Sequence, residues 1–219
     1  MTITKAKIWD LPVRLTHWAL AVSFFGAYFT AEFSIKAVHE FFAFACLTLV
    51  TFRVLWGLVG SENARFSNFV KGRQAVTAYA KGLLRLKHET IWGHNPLGAV
   101  AILLILGLMF ALVGAGLFAS DAPYFGPWAQ SVAGGFAETL GGLHELLANV
   151  LMAVVVGHIV AVLAYRVFLR DNLITPMVTG LRDADEEHPE PRFTANWIAI
   201  VLFLISLAGS GAVFRYWVL

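Results

Sequence analysis

Residues 143–167 read LHELLANVLMAVVVGHIVAVLAYRV, an apolar run with histidine at 144 and again at 158. It is long enough to cross a hydrocarbon core of roughly 30 Å as a single helix. At about 1.5 Å and 100° per residue, the interval between the two histidines amounts to roughly 21 Å and nearly four full turns. Both imidazoles therefore leave one face of the helix at two different depths.

Working outward, four more runs have the length and composition of membrane spans, at about 15–34, 38–60, 95–119 and 196–219. The whole chain agrees: 58% of its 219 residues are hydrophobic, only 14% are charged, and the mean hydropathy is +0.71. These values lie far from soluble composition and predict an all-α integral membrane protein. Glu32 bounds the first run, which lacks a small-x-small cleavage site, so it reads as a retained span rather than a signal peptide.

The basic residues orient these spans. Lys5, Lys7 and Arg14 precede the first, and Arg65, Lys71, Arg73, Lys81, Arg85 and Lys87 lie between the second and third. Arg166, Arg170, Arg182 and Arg192 lie between the fourth and fifth. The other side has Lys36 and Arg215, and the loop from Ser120 to Gly142 carries Asp121 and Glu138 with no basic residue. The positive-inside rule then predicts a cytoplasmic N-terminus and an external C-terminus. The net charge of +2 describes topology, since no interleaved basic and aromatic surface points to nucleic acid.

The long connections, 61–94 and 168–195, are expected to hold short interfacial helices, with Gln74 to Leu86 mixing apolar and basic residues as a surface helix does. Asp183, Asp185, Glu186, Glu187 and a Pro-containing stretch predict a solvated cytoplasmic linker over 176–195. The expected organisation is thus a four-helix domain over 1–175, the linker, and an additional membrane helix over 196–219.

Topology also sorts the histidines by depth. His39 opens the second span and His144 the fourth, both on the outer side; His17 and His158 lie toward the cytoplasm. Two layers result, His39 with His144 and His17 with His158, with the spacing needed to hold two stacked haems. A single intramembrane histidine can equally serve as a helix-to-helix hydrogen-bonding group or a proton-relay member, but two matched layers favour iron ligation. Cys46 is the only cysteine, so no disulfide forms within one chain and no Cys-x-x-Cys-His attachment exists; a haem here would be b-type and non-covalent. Arg53, on the same face as His39 and nearer the cytoplasm, either pairs with a haem propionate or snorkels to headgroups.

Several segments resemble the bacterial cytochrome b561 and nickel–iron hydrogenase b-type cytochrome family over about residues 8–175. They are Leu15-Thr16-His17-Trp18, His39-Glu40, Phe52-Arg53-Val54-Leu55-Trp56-Gly57, Gly93-His94-Asn95-Pro96-Leu97-Gly98, Leu143-His144-Glu145 and Gly157-His158. The resemblance implies a four-helix transmembrane bundle binding two b haems through the four histidines, and electron exchange with membrane quinone. It also implies a bacterial inner-membrane protein, so the external C-terminus given by the positive-inside rule is periplasmic. The fifth C-terminal transmembrane helix departs from that pattern.

Two imidazoles on each iron leave no open position for oxygen, which favours a one-electron carrier linking quinone to a periplasmic c-type cytochrome or another membrane redox subunit. Arg14, Lys87, His88, His94 and Asn95 gather near the cytoplasmic layer, and His94 is either the quinone contact or an interfacial loop residue. On the outer side, Tyr124, Phe125 and Trp128 form either a docking surface or an aromatic anchor. Gly107, Gly114, Gly116, Gly209 and Gly211 are expected to permit close helix approach, and Gly157 makes room for a porphyrin. Two other function classes stay open: a self-contained quinone-coupled oxidase of superoxide, and a haem-free histidine-relay transporter.

Overall fold

The computed structural model describes residues 4–85, 91–121, 124–132, 135–184 and 190–215. Lys87, His88, Asp185, Glu186 and Glu187 lie outside the described residues. The chain begins with strand β1 (Thr4–Lys7), then helices α1 (Leu11–Glu32) and α2 (Lys36–Val59). A 3-10 turn at Glu62–Ala64 leads to α3 (Phe66–Phe69), α4 (Arg73–Leu84) and α5 (Pro96–Phe118). Next come the short strands β2 (Ser120–Asp121) and β3 (Tyr124–Phe125), the 3-10 turn Ala129–Ser131 and the long helix α6 (Phe136–Phe168). Finally α7 (Ile174–Thr179), β4 (Leu181–Ala184) and α8 (Asn196–Arg215) complete the order.

Among the described residues, four helices are long and apolar enough to cross a membrane: α2, α5, α6 and α8 over Asn196–Phe214. Helix α1 has 22 residues but carries Arg14, Thr16 and His17 near its start. Helix α6 has 33 residues, about 50 Å at 1.5 Å each, and starts earlier than its apolar run because the polar turns before Leu143 continue the same helix. Apolar side chains such as Ile159, Val160 and Leu163 on α6 and Ile200, Leu204 and Ile205 on α8 stand exposed, as hydrocarbon-facing residues do.

The chain divides into two compact units. The first comprises Met1–Leu15, Leu55–Leu104 and Val156–Ala199. In it, Asp10 caps α1 by accepting the Val13 N–H at 2.7 Å through Oδ1, while Oδ2 accepts the indole N–H of the fully buried Trp56 at 3.0 Å. Such a cap contributes about 1 kcal/mol, and a buried carboxylate also needs its second oxygen occupied. Asn95 caps α5 in the same way, its Oδ1 accepting the Gly98 N–H at 2.7 Å, with Pro96 supplying the first helical residue.

Strands β1 and β4 pair antiparallel, from Thr4 with Ala184 to Lys7 with Leu181. The stretch read as a solvated linker therefore contains ordered structure. The cause is local chemistry: Gly180, at φ 84°, ends α7 and turns the chain back, and Arg182 pairs with Asp171 and donates to the Ile91 carbonyl at 3.2 Å. Farther on, the Arg192 N–H donates to Glu62 at 2.9 Å. The expected surface helix is α4, whose Val76, Tyr79, Ala80 and Leu83 form a half-buried stripe at helical spacing.

The second unit comprises Thr16–Val54, Ile105–Val155 and Ile200–Leu219. Helix α1 stops at Ser34, which takes φ 57°, while the Ser34 and Ile35 N–H groups close back on the Ala31 and Thr30 carbonyls. Val50 and Leu151 are fully buried in its core, with Phe24, Cys46, Phe52 and Met109 nearly so. The loop after α5 folds as a hairpin in which Ser120 faces Phe125 and Asp121 faces Tyr124. The two small strand pairs are additions to a fold that the sequence predicts as wholly helical.

Candidate functional site

Two histidines come together in the second unit. His39 stands in the first turn of α2 and His144 in α6, with ring centres 6.3 Å apart and planes at 84°. Each ring is held through Nδ1 by a backbone carbonyl. His39 lies 2.9 Å from the Ala27 oxygen on α1, and His144 lies 2.8 Å from the Leu112 oxygen on α5. A carbonyl can only accept, so Nδ1 donates in both cases and the opposite nitrogen, Nε2, is left as the lone-pair donor of a neutral ring.

Gly116, one turn beyond Leu112, makes the His144 position possible. A Cβ there would stand 2.7 Å from Cε1 of His144, so any side chain would push the ring away. By contrast, Gly107, Gly114, Gly209 and Gly211 have no neighbour within 4 Å of such a Cβ, and no close approach is seen at them. Gly157 is equally open.

A cavity of about 380 Å³ adjoins the pair. Its wall includes both histidines, Cys46, Gly116, and the hydrogen-bonded Tyr28 and Asn149, the tyrosine donating to the amide oxygen at 2.9 Å. Tyr124 of the hairpin sits against His39, ring centres 5.3 Å apart, and its hydroxyl reaches the Ala31 carbonyl at 3.3 Å. Four carboxylates, Glu32, Glu40, Asp121 and Glu145, also line this space, and the Lys36 amine is 3.8 Å from Glu40.

The wall of this cavity does not include the remaining candidates. His17 is half-buried in the second unit, its ring 5.0 Å from Trp18 and nearly perpendicular to it. Arg53, also in that unit, is only 7% exposed. His158 is half-buried on α6 in the first unit, and its pairing with His17 rests on the sequence. His94 is no open loop residue: its ring centre is 4.5 Å from Trp9 and 4.4 Å from Phe69.

Sequence reasoning missed the two carbonyl acceptors, because any residue supplies one. It also passed over Asn149, although an amide inside the 143–167 apolar run is a visible signal that something polar waits beside it.

A family model described as prokaryotic cytochrome b561 matches residues 8–180. A protein of Azotobacter chroococcum mcd 1, described as a probable Ni/Fe-hydrogenase B-type cytochrome subunit, is 26% identical over 229 aligned positions, which cover 85% of this chain and 92% of the relative. No solved structure gives a significant match. With most of its length under one family model and its helices apolar enough to span a bilayer, the chain belongs to the prokaryotic cytochrome b561 family and is a membrane b-type cytochrome of electron transfer.

Proposed function

We propose that this cytochrome holds two b haems and moves electrons across the bacterial inner membrane, between the quinone pool and a periplasmic or membrane redox partner. The observation that carries the reading is the 6.3 Å between the His39 and His144 ring centres. An imidazole nitrogen binds a metal at about 2.0–2.1 Å and lies about 1.1 Å from its ring centre, so two rings on opposite sides of one iron stand about 6.2–6.4 Å apart. Rings braced through Nδ1 are the usual form of metal-binding histidine. The cavity, about 380 Å³, falls within the range of about 300–1,000 Å³ typical of cofactor sites. His39 and His144 would hold one b haem, and the sequence assigns His17 and His158 to a second.

A bound haem would supply a reversible one-electron couple. The protein's part is to hold and tune it. The Ala27 and Leu112 carbonyls would hold the two imidazoles in orientation toward a bound iron. Arg53 offers a buried guanidinium to a propionate. His94 is the first quinone contact to test: a His94→Ala protein whose quinone-dependent haem oxidation and reduction are unchanged removes it from that role.

In this reading α1, α2, α5 and α6 form the dihaem domain over 1–175, the N-terminus is cytoplasmic, and α8 crosses as a fifth span with its C-terminus in the periplasm. The hairpin carrying Tyr124 and Phe125, with Trp128 beyond it, faces a redox partner such as a c-type cytochrome. The carboxylates around the outer cavity repel an anion, which works against a self-contained oxidase of superoxide.

The test is haem content and reduced-minus-oxidised absorbance of purified protein. Two b haems per chain, one lost in His39→Ala and His144→Ala and the other in His17→Ala and His158→Ala, are expected. Folded wild-type protein without stoichiometric haem overturns the reading.

A further inference from the structure

Helix α8 lies beyond the residues 8–180 that the family model matches, yet from Ile200 onward it belongs to the second unit. Two ring contacts fasten it to α2. Phe203 meets Phe52 edge to face, with centres 6.0 Å apart and planes at 76°, and Phe214 meets Phe44 in the same way at 5.3 Å and 89°. Residue numbers rise along α8 as they fall along α2, so the two helices run antiparallel. Phe214 therefore meets α2 near its start, at a residue about 7–8 Å along the helix from His39. Between the two phenylalanines, Ser206 and Ser210 continue one helical face and are only 2% and 3% exposed. Small side chains of this kind let a neighbouring helix come close. The Ser206 hydroxyl donates to the Leu202 carbonyl of its own helix at 2.8 Å, which satisfies it without a partner on another helix.

Phe214 also lines the cavity beside His39 and His144. Among the described residues it is the only part of α8 in that wall, which α1, α2, α5, α6 and the α5–α6 connection otherwise supply. The same wall holds Cys46, the single cysteine of the chain, which is 4% exposed. Phe203 makes a useful contrast: it fastens the same helix to the same neighbour and has no share in the cavity wall.

We infer that α8 is a fifth wall of the outer haem site, in which the Phe214 ring keeps water from the haem and so sets the potential of that haem alone. The inference rests on the proposed haem between His39 and His144. Iron held by a porphyrin dianion and two neutral imidazoles has a net positive charge when ferric and none when ferrous. An apolar wall that excludes water penalises the charged form more, so Phe214 favours the reduced iron. Water admitted in place of the ring would solvate the ferric form and lower the potential.

The experiment compares haem-loaded, full-length wild type, Phe214→Ala, Phe214→Leu and Phe203→Ala in detergent by two readouts. The first is a spectroscopic redox titration, the outer haem being the component missing from His39→Ala. The second is the rate at which a maleimide labels Cys46. In Phe214→Ala the outer haem is expected to shift toward ferric iron by about two- to tenfold in its redox equilibrium, tenfold being 59 mV for one electron. Cys46 is expected to label severalfold faster in the same variant. Phe214→Leu, which keeps an apolar side chain there, is expected to recover most of both changes. The other haem in every variant, and both readouts in Phe203→Ala, are expected to stay at wild-type values.

Phe214→Ala that matches wild type in potential and labelling overturns the inference and leaves the proposed function standing. Equal shifts in Phe203→Ala and Phe214→Ala also overturn it, since general loosening of α8 would then be the cause. Folded wild type without a haem at His39 and His144 overturns the proposed function and the inference with it. Should Phe214→Ala lose the outer haem, Phe214→Leu against Phe203→Ala decides: wild-type readouts in both overturn the inference, and a change confined to Phe214→Leu upholds it.

Discussion

The His39–His144 pair and His94 show two opposite ways of burying an imidazole. In the pair, each ring is gripped at one nitrogen by a carbonyl of a neighbouring helix, and the rings face each other beside a cavity. At His94 the contact is with ring faces, Trp9 and Phe69, both within 4.5 Å between centres. The first arrangement fixes direction and leaves a coordinating atom; the second contributes apolar area and aromatic contacts. Burial of a histidine alone therefore does not mark a ligand. What marks one is an oriented nitrogen with a partner of matching orientation.

The strongest way to break this contrast is substitution of the rings themselves. His39→Ala and His144→Ala are each expected to abolish binding of one whole haem, whereas His94→Ala retains both, as pyridine haemochrome analysis will measure. A haem lost from His94→Ala in folded protein would erase the distinction. Ring orientation sharpens it further: planes at 84° predict a strongly anisotropic low-spin ferric resonance from the outer haem. A spectrum typical of parallel imidazoles would show that the rings turn as haem enters.

Next in size is Gly116→Ala. The added methyl meets His144 at 2.7 Å, and overpacking of this kind costs about 1–3 kcal/mol. Redox titration is expected to show a displaced potential, or partial occupancy, for the outer haem alone. On the other side of the comparison, His94→Ala removes two ring contacts worth about 0.5–1.5 kcal/mol each. Its thermal unfolding midpoint in detergent is expected to fall, and His94→Phe is expected to recover most of the loss. Full stability in His94→Ala would mean the aromatic contacts hold nothing together.

The smallest effect is expected at Tyr124→Phe. The ring packing on His39 survives, and the hydrogen bond removed is long, 3.3 Å to the Ala31 carbonyl, worth at most about 0.5 kcal/mol. Haem content should be unchanged and the outer potential should move only slightly. A large shift would place the hydroxyl, rather than the ring, in control of His39.

Much of this was legible in the sequence, for reasons that differ by element. Long apolar runs fix α2, α5, α6 and α8 because a helix in lipid must satisfy its own backbone. The spacing of His144 and His158 put both on one face of α6 before any contact was known. The apolar run over 95–119 marked α5, and the cap that Asn95 gives it came from the structure. What the sequence withheld was non-local. The pairing of β1 with β4 joins segments from opposite ends of the chain, neither of which has a strand pattern strong enough to stand alone. The Asp10–Trp56 bond and the rings around His94 likewise depend on neighbours distant in sequence. Gly116 looked no different from Gly107 or Gly114 until His144 was seen beside it.

The β1–β4 ladder also imposes an order on biogenesis. Thr4–Lys7 is made before α1, yet Leu181–Ala184, which completes its hydrogen bonds, is made only after α6. During nearly all of synthesis that N-terminal strand has an open edge and no mate, so closure of the ladder is a slow, long-range step. The finished ladder thus reports that the chain has been made through β4: a chain truncated before residue 181 keeps Thr4–Lys7 without its strand partner.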